Sequence, residues 1–121
     1  MTRYLLIGED DADVAELICS AAETIDVEAH AEHTVSAFKR SYLQRRPDFI
    51  VVDILMPDSD GIEVLLWLSE NNCDSSIIIA SGFDANYLRM AKDLAEAKGL
   101  KVIAILSKPF AIEDLCGALK A

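Results

Sequence analysis

The chain reads as a single α/β domain, one doubly wound, five-stranded parallel sheet with helices on both faces. Apolar runs of about four to six residues alternate along it with stretches of helical period. Four of the five runs are almost wholly apolar, as strands covered on both faces must be. At 121 residues, the whole of 1–121 is one domain's worth of chain, long enough to bury a real core.

The first strand spans 4–8. Val14, Leu17, Ile18, Ala21, Ala22 and Ile25 then recur at helical spacing, predicting an amphipathic helix with Asp13, Glu16, Ser20 and Glu23 outward. Val27-Glu28-Ala29-His30-Ala31 alternates polar and apolar, which suits a half-exposed edge strand. Thr34 is placed to cap a short helix bearing Val35, Phe38, Tyr42 and Leu43, which stops before Pro47. The third strand is 49–53, the third helix about 62–71, the fourth strand 77–81 and the fourth helix about 84–98. Gly99 closes that helix as a C-cap. The fifth strand covers 102–106, and the last helix about 111–120 turns Ile112, Leu115, Ala118 and Leu119 inward. Right-handed crossovers are expected, and the flavodoxin-like order 2-1-3-4-5, taken over from known doubly wound folds rather than read from this chain, places the polar second strand at one edge.

A net charge of −10 argues against direct nucleic-acid binding by this chain. The apolar runs are far shorter than the roughly 20 residues that cross a bilayer, so no membrane span is expected. Met1-Thr2-Arg3 leads straight into the first strand, and no targeting leader is expected. Cys19, Cys73 and Cys116 are an odd number without metal-ligand spacing. Cys19 and Cys116 sit on apolar helix faces, which predicts reduced thiols and a cytoplasmic setting.

Five side chains fall at strand ends: Glu9 and Asp10 after Tyr4-Leu5-Leu6-Ile7, Asp53 after Phe49-Ile50-Val51-Val52, Ser81 after Ile77-Ile78-Ile79-Ala80, and Lys108 after the run ending at Ser107. In an open parallel sheet, ligands sit outside the carboxyl ends of the strands. Three acids, a hydroxyl and an amine converging there predict a metal-assisted phosphoryl acceptor. A carboxylate directly after four apolar residues costs burial energy unless something pairs with it, which favours function for Asp53. Asp11 and Asp13 are read as helix-capping acids. His30 and His33 are read as surface residues and Trp67 as packing.

The segments Glu9-Asp10-Asp11, Val52-Asp53-Ile54-Leu55-Met56-Pro57-Asp58-Ser59-Asp60-Gly61, Ala80-Ser81-Gly82 and Ser107-Lys108-Pro109-Phe110 resemble the signature blocks of response-regulator receiver domains. The match covers essentially the whole chain, and all four blocks agree in order and spacing. The resemblance implies that Asp53 accepts a phosphoryl group from a histidine kinase or phosphotransfer protein. It implies Mg²⁺ (or Mn²⁺) on Asp10 and Asp53, with Glu9 acting through water and the Leu55 backbone carbonyl as a further ligand. Lys108 and Ser81 would contact the phosphoryl oxygens, and the Lys108–Pro109 bond would be cis. A fused or separate output domain is implied, and a phosphorylation-dependent homodimer is compatible. Such a chain is no enzyme beyond assisting its own phosphorylation and dephosphorylation.

Two positions depart from the family pattern. Ile105 stands where receivers usually carry Tyr or Phe, and the segment from Ser81 to Lys108 is several residues longer than usual. Phe83 and Tyr87 are the nearest groups to carry a rerouted response. Two other readings remain. A Mg²⁺-dependent phosphohydrolase generally wants a second Asp two residues after the nucleophile, where Leu55 stands. A degenerate receiver would normally have lost Asp53, Lys108 or one of the acid pair, and all are present.

Overall fold

The long strands are β1 (Arg3–Gly8), β2 (Val27–Glu32), β3 (Phe49–Asp53), β6 (Ser76–Ser81) and β7 (Lys101–Ser107). They form one sheet, parallel throughout and ordered β2-β1-β3-β6-β7. A computed structural model describes residues 2–56, 59–82 and 84–120, apart from the Ser59 side chain. Pro57, Asp58 and Phe83 lie outside the described residues. The five long strands stand in the predicted 2-1-3-4-5 order. Between β3 and helix α3 (Gly61–Glu70), the short strands β4 (Leu55–Met56) and β5 (Ser59–Asp60) pair antiparallel, an element the sequence did not predict.

The remaining helices are α1 (Ala12–Glu23), α2 (Val35–Gln44), α4 (Ala85–Ala97) and α5 (Ile112–Lys120). Successive strand residues point to opposite faces, so each face has its own core. Leu6, Ile50, Val52, Ile77 and Ile79 pack with Phe38 and Tyr42 of α2, Leu65 and Leu68 of α3, and Leu88 and Ala91 of α4. Leu5, Ile7, Val51, Ile78 and Ala80 pack with Ile18 and Ala22 of α1 and with Leu115 and Leu119 of α5.

Two helix-face expectations fail. Leu17 is 51% exposed and Leu43 is 59% exposed. On α1 the small Ala15, with Ile18, Ala21 and Ala22, makes the inner stripe, which rotates Leu17 outward. On α2 the inner row is Val35, Phe38 and Tyr42, and Leu43 lies one step round from it. Ile112 and Ala118 are only partly buried.

Local chemistry sets the helix ends. Asp11 and Thr34 are N-caps, Asp11 accepting the Asp13 and Val14 N–H groups and Thr34 that of Ala37. After α4, Gly99 has φ +88°, and Leu100 N–H donates to Ala95 O at 3.0 Å, which closes the helix in a Schellman turn. Asn72 (φ 56°) performs the same office after α3, with Cys73 N–H donating to Leu68 O at 3.1 Å.

Gly61 starts α3 directly against the chain leaving β3. A β-carbon there would overlap the Cβ, Cα and O of Ile54, and Gly61 N–H donates to that same Ile54 O at 3.0 Å. The clash is with backbone, so no rotamer change relieves it. Gly61→Ala should therefore cost about 1–3 kcal/mol, read by urea denaturation. A midpoint equal to wild type would contradict the close approach.

Candidate functional site

The carboxyl ends of β1, β3, β6 and β7 meet at the switch point between β1 and β3, where the strand order reverses. Glu9 and Asp10 follow β1, Asp53 ends β3, Ser81 ends β6 and Lys108 follows β7. Carboxylate oxygens of Glu9, Asp10 and Asp53 lie within 4.8 Å of one another. Glu9 and Asp53 are buried and Asp10 is exposed, so the cluster opens to solvent through Asp10.

Each buried group is held. Lys108 Nζ donates to Asp53 Oδ2 at 2.9 Å and to Glu9 Oε1 in a shorter bond. Leu55 N–H donates to Asp53 Oδ1 at 2.8 Å, and Asp11 N–H donates to Glu9 Oε2 at 3.1 Å. Leu55 begins β4 with its side chain half exposed. Ser81 is fully buried, and its carbonyl accepts Lys108 N–H at 2.9 Å, which ties the ends of β6 and β7 together. The Lys108–Pro109 peptide bond is cis, as the resemblance implied.

Burial pushes the Glu9 carboxyl up to about 7, against the opposing pull of the Lys108 ammonium and the Asp11 N–H, while the Asp53 charge raises it further. Burial would lower the Lys108 pKa, but its hydrogen bonds to Glu9 and Asp53 and their charges outweigh this and hold it above its ordinary value. Lys108 is thus a fixed cation at neutral pH.

A pH dependence follows from Glu9. Folded Glu9 holds its proton more tightly than unfolded Glu9, so the native state binds more protons between about 4.5 and about 7. Stability of the metal-free protein should fall across that window as pH rises, by at most about 3 kcal/mol from this group. Lys108 titrates well above it. Urea denaturation at several pH values, with chelator present, measures this. Glu9→Gln should flatten the dependence, and an identical slope in that variant would contradict it.

His33 lies at the surface as expected, but sequence reasoning did not foresee its contact with the chain leaving β1. The His33 ring is exposed, yet Nδ1 lies 2.9 Å from the backbone carbonyl of Glu9, which can only accept, so Nδ1 carries the proton. The signal was position alone, one residue beyond a strand paired in register with β1. Beside Lys108, an open apolar cavity of about 300 Å³ is lined by Val14, Leu17, Lys108, Pro109 and Phe110.

The family profile described as response regulator receiver domain matches residues 5–120. The response regulator receiver protein CpdR of Brucella abortus (strain 2308) is 33% identical over 98% of this chain and 94% of its own length. The photosynthetic apparatus regulatory protein RegA of Rhodobacter capsulatus is 30% identical over 98% of this chain, which spans only 62% of that relative. A crystal structure of a response regulator from Colwellia psychrerythraea superposes with a TM-score of 0.82 at 31% identity, covering 99% of this chain and 96% of that one. The chain belongs to the response regulator receiver domain family of two-component signal transduction. Its relatives are signalling regulators rather than classical enzymes.

Proposed function

We propose that the domain accepts a phosphoryl group on Asp53 from a histidine kinase or phosphotransfer protein, in a Mg²⁺- or Mn²⁺-dependent reaction, and so controls an output domain or partner protein. The observation that carries this reading is the buried Asp53 carboxylate, tied to Lys108 and clustered with Glu9 and Asp10 at a solvent-open sheet edge.

The donor set is hard oxygen only and opens to water, which suits a small divalent cation that keeps part of its hydration shell. Asp10 and Asp53 would hold it directly, with Glu9 acting through water and the Leu55 carbonyl contributing. A metal held there would neutralise charge on the transferring group. An Asp53 carboxylate oxygen attacks phosphorus, the bond from phosphorus to the donor's imidazole nitrogen breaks, and that nitrogen keeps the electron pair. The product is an aspartyl acyl phosphate. Lys108 stays protonated throughout and follows the charge onto the phosphoryl oxygens, with the Ser81 hydroxyl as a second donor. Hydrolysis at the same site returns the carboxylate, the only turnover we assign to the domain.

A protein donor must approach beside Asp53, and the exposed Leu17 and the neighbouring Phe110 offer it apolar surface there. No described helix is long and apolar enough to cross a membrane. The free thiols fit a reducing cytoplasm. Incubation with acetyl phosphate and Mg²⁺ tests the function. Intact mass should show one added phosphoryl group, labile to base, and no gain with metal present would overturn the reading.

The readout is assigned to α4. Ile105 packs on the same core as Tyr87, whose hydroxyl lies 3.4 Å from Asp60 Oδ1 at the start of α3. Phosphorylation changes contacts at Ser81, immediately upstream, and those contacts must drive any shift. Beryllofluoride, a phosphoryl mimic, should alter hydrogen exchange over 82–98 more than over Ile103–Leu106. Change confined to the latter would contradict the rerouting. Phe83, the other group expected to respond, lies outside the described residues.

A further inference from the structure

Four of the chain's eleven Lys and Arg residues fall between Lys39 and Arg46, and no Asp or Glu occurs from His33 to Pro47. All 21 acids and only seven cations therefore lie elsewhere, so a chain of net charge −10 carries one acid-free basic stretch along α2. The structure divides this stretch into two sides. Arg45 turns toward β2, where its guanidinium lies 3.9 Å from the Tyr4 ring centroid and donates to both Glu28 carboxylate oxygens at 2.5 and 3.1 Å. That cation is matched.

Lys39 and Leu43, at spacing i, i+4 on α2, stand on the other side with Arg46, which lies just past the extended C-cap Arg45, and both cations reach toward α3. Lys39 Nζ lies 5.4 Å from the Trp67 ring centroid, and the Arg46 guanidinium lies 5.0 Å from that of Tyr42. Arg46 donates to the Tyr42 hydroxyl at 3.1 Å and to the Asn71 carbonyl at 2.9 Å, both neutral acceptors, and makes no ion pair among the described residues. The Tyr42 and Trp67 rings meet edge to face at 5.4 Å. Between the two cations stands Leu43, 59% exposed, the most exposed large apolar side chain among the described residues.

We propose that this α2–α3 face is a docking surface for an acidic protein segment, which sets an apolar or aromatic side chain against Leu43 and Trp67 and carboxylates on Lys39 and Arg46. The charge argument selects the partner. The α2 side of the face is cationic while exposed Glu63 and Glu70 flank Trp67 on α3, so a short segment that sets its carboxylates over Lys39 and Arg46 is attracted, whereas a long polyanion or a charged membrane would feel these and the surrounding acids, within about 8–10 Å at physiological salt. The energetic argument agrees. The two cations already rest on aromatic faces, so less rotamer entropy is lost on binding. An aromatic and an aliphatic group ringed by charges is the composition of an interface centre with a polar rim. The face shares no residue with the Asp53 cluster, so docking there is compatible with phosphoryl transfer.

The experiment is selection of a random linear peptide library, displayed on phage, against the intact chain. Enriched peptides should be acidic and carry Trp, Phe or Leu. A labelled selected peptide should shift the indole N–H signal of Trp67, the sole tryptophan. Its affinity should drop about tenfold or more in Leu43→Ala and in Lys39→Glu, and should weaken with added salt. Neither change touches a buried side chain, and circular dichroism checks that both variants fold. Three results would overturn the proposal: no acidic enrichment, selected peptides that bind both variants as tightly as wild type, or perturbation of Trp67 by duplex DNA or anionic vesicles in place of the peptides.

Discussion

A Lys108→Met variant should lose roughly 3–5 kcal/mol of stability in metal-free buffer and recover much of it when millimolar Mg²⁺ is added. The cause is burial. The Glu9 and Asp53 side chains are 2% and 5% exposed, and Lys108 supplies the ammonium that both carboxylates bind. Removing one partner of a buried ion pair leaves the other charges desolvated and uncompensated, which costs far more than a surface pair is worth. Glu9 would escape part of the penalty by taking up a proton, since its carboxyl already titrates near 7. The loss should therefore be larger at pH 8 than at pH 6. Added metal should also stabilise the variant more than wild type, because the competing ammonium is gone. Urea denaturation with and without Mg²⁺ reads both effects. A loss below about 1 kcal/mol, or one that Mg²⁺ leaves untouched, would mean that Lys108 does not carry the charge balance of the cluster.

Asp53→Asn should take up no phosphoryl group from acetyl phosphate, while wild type takes up one. The substitution keeps the shape of the side chain and an oxygen for the Leu55 N–H, but the amide offers neither the nucleophile nor the negative charge. The fold should survive it, because the Asp53 charge is one of the causes that raise the Glu9 pKa, and removing it relieves that repulsion. Stability in metal-free buffer near neutral pH should stay close to that of wild type, and Mg²⁺ should stabilise the variant much less. This pairing of a complete loss of uptake with an intact fold separates a missing acceptor from a damaged domain. Uptake equal to wild type would place the acceptor elsewhere.

The strands were legible because a strand buried on both faces is a short apolar run, whatever its neighbours are. Helix faces were less so. Leu17 and Leu43 satisfy helical spacing, yet small Ala15 and large Phe38 make the inner rows, and periodicity alone does not rank a wide apolar stripe. The β4–β5 pair is two residues per strand, too short to leave a periodic signal. Asn72 ends α3 through a positive φ that reads in sequence as an ordinary polar residue. The candidate side chains were visible because each closes an apolar run. Their pairing was not, since Lys108 meets Glu9 across 99 positions of sequence, and only the resemblance supplied the order that brings them together. The His33 bond to the Glu9 carbonyl had no local signal beyond its place after an edge strand.

Reduction of the phosphorylated protein with borohydride tests the central claim most directly. A first hydride attacks the acyl carbon of an aspartyl phosphate and phosphate leaves; a second hydride and a proton reduce the resulting aldehyde to homoserine, a permanent mark at the acceptor. Tandem mass spectrometry of the digested, reduced protein should find homoserine at position 53, dependent on prior treatment with acetyl phosphate and Mg²⁺. Homoserine at Asp10 or at another acid, or none at all in protein that had gained a phosphoryl group, would contradict the assignment of Asp53.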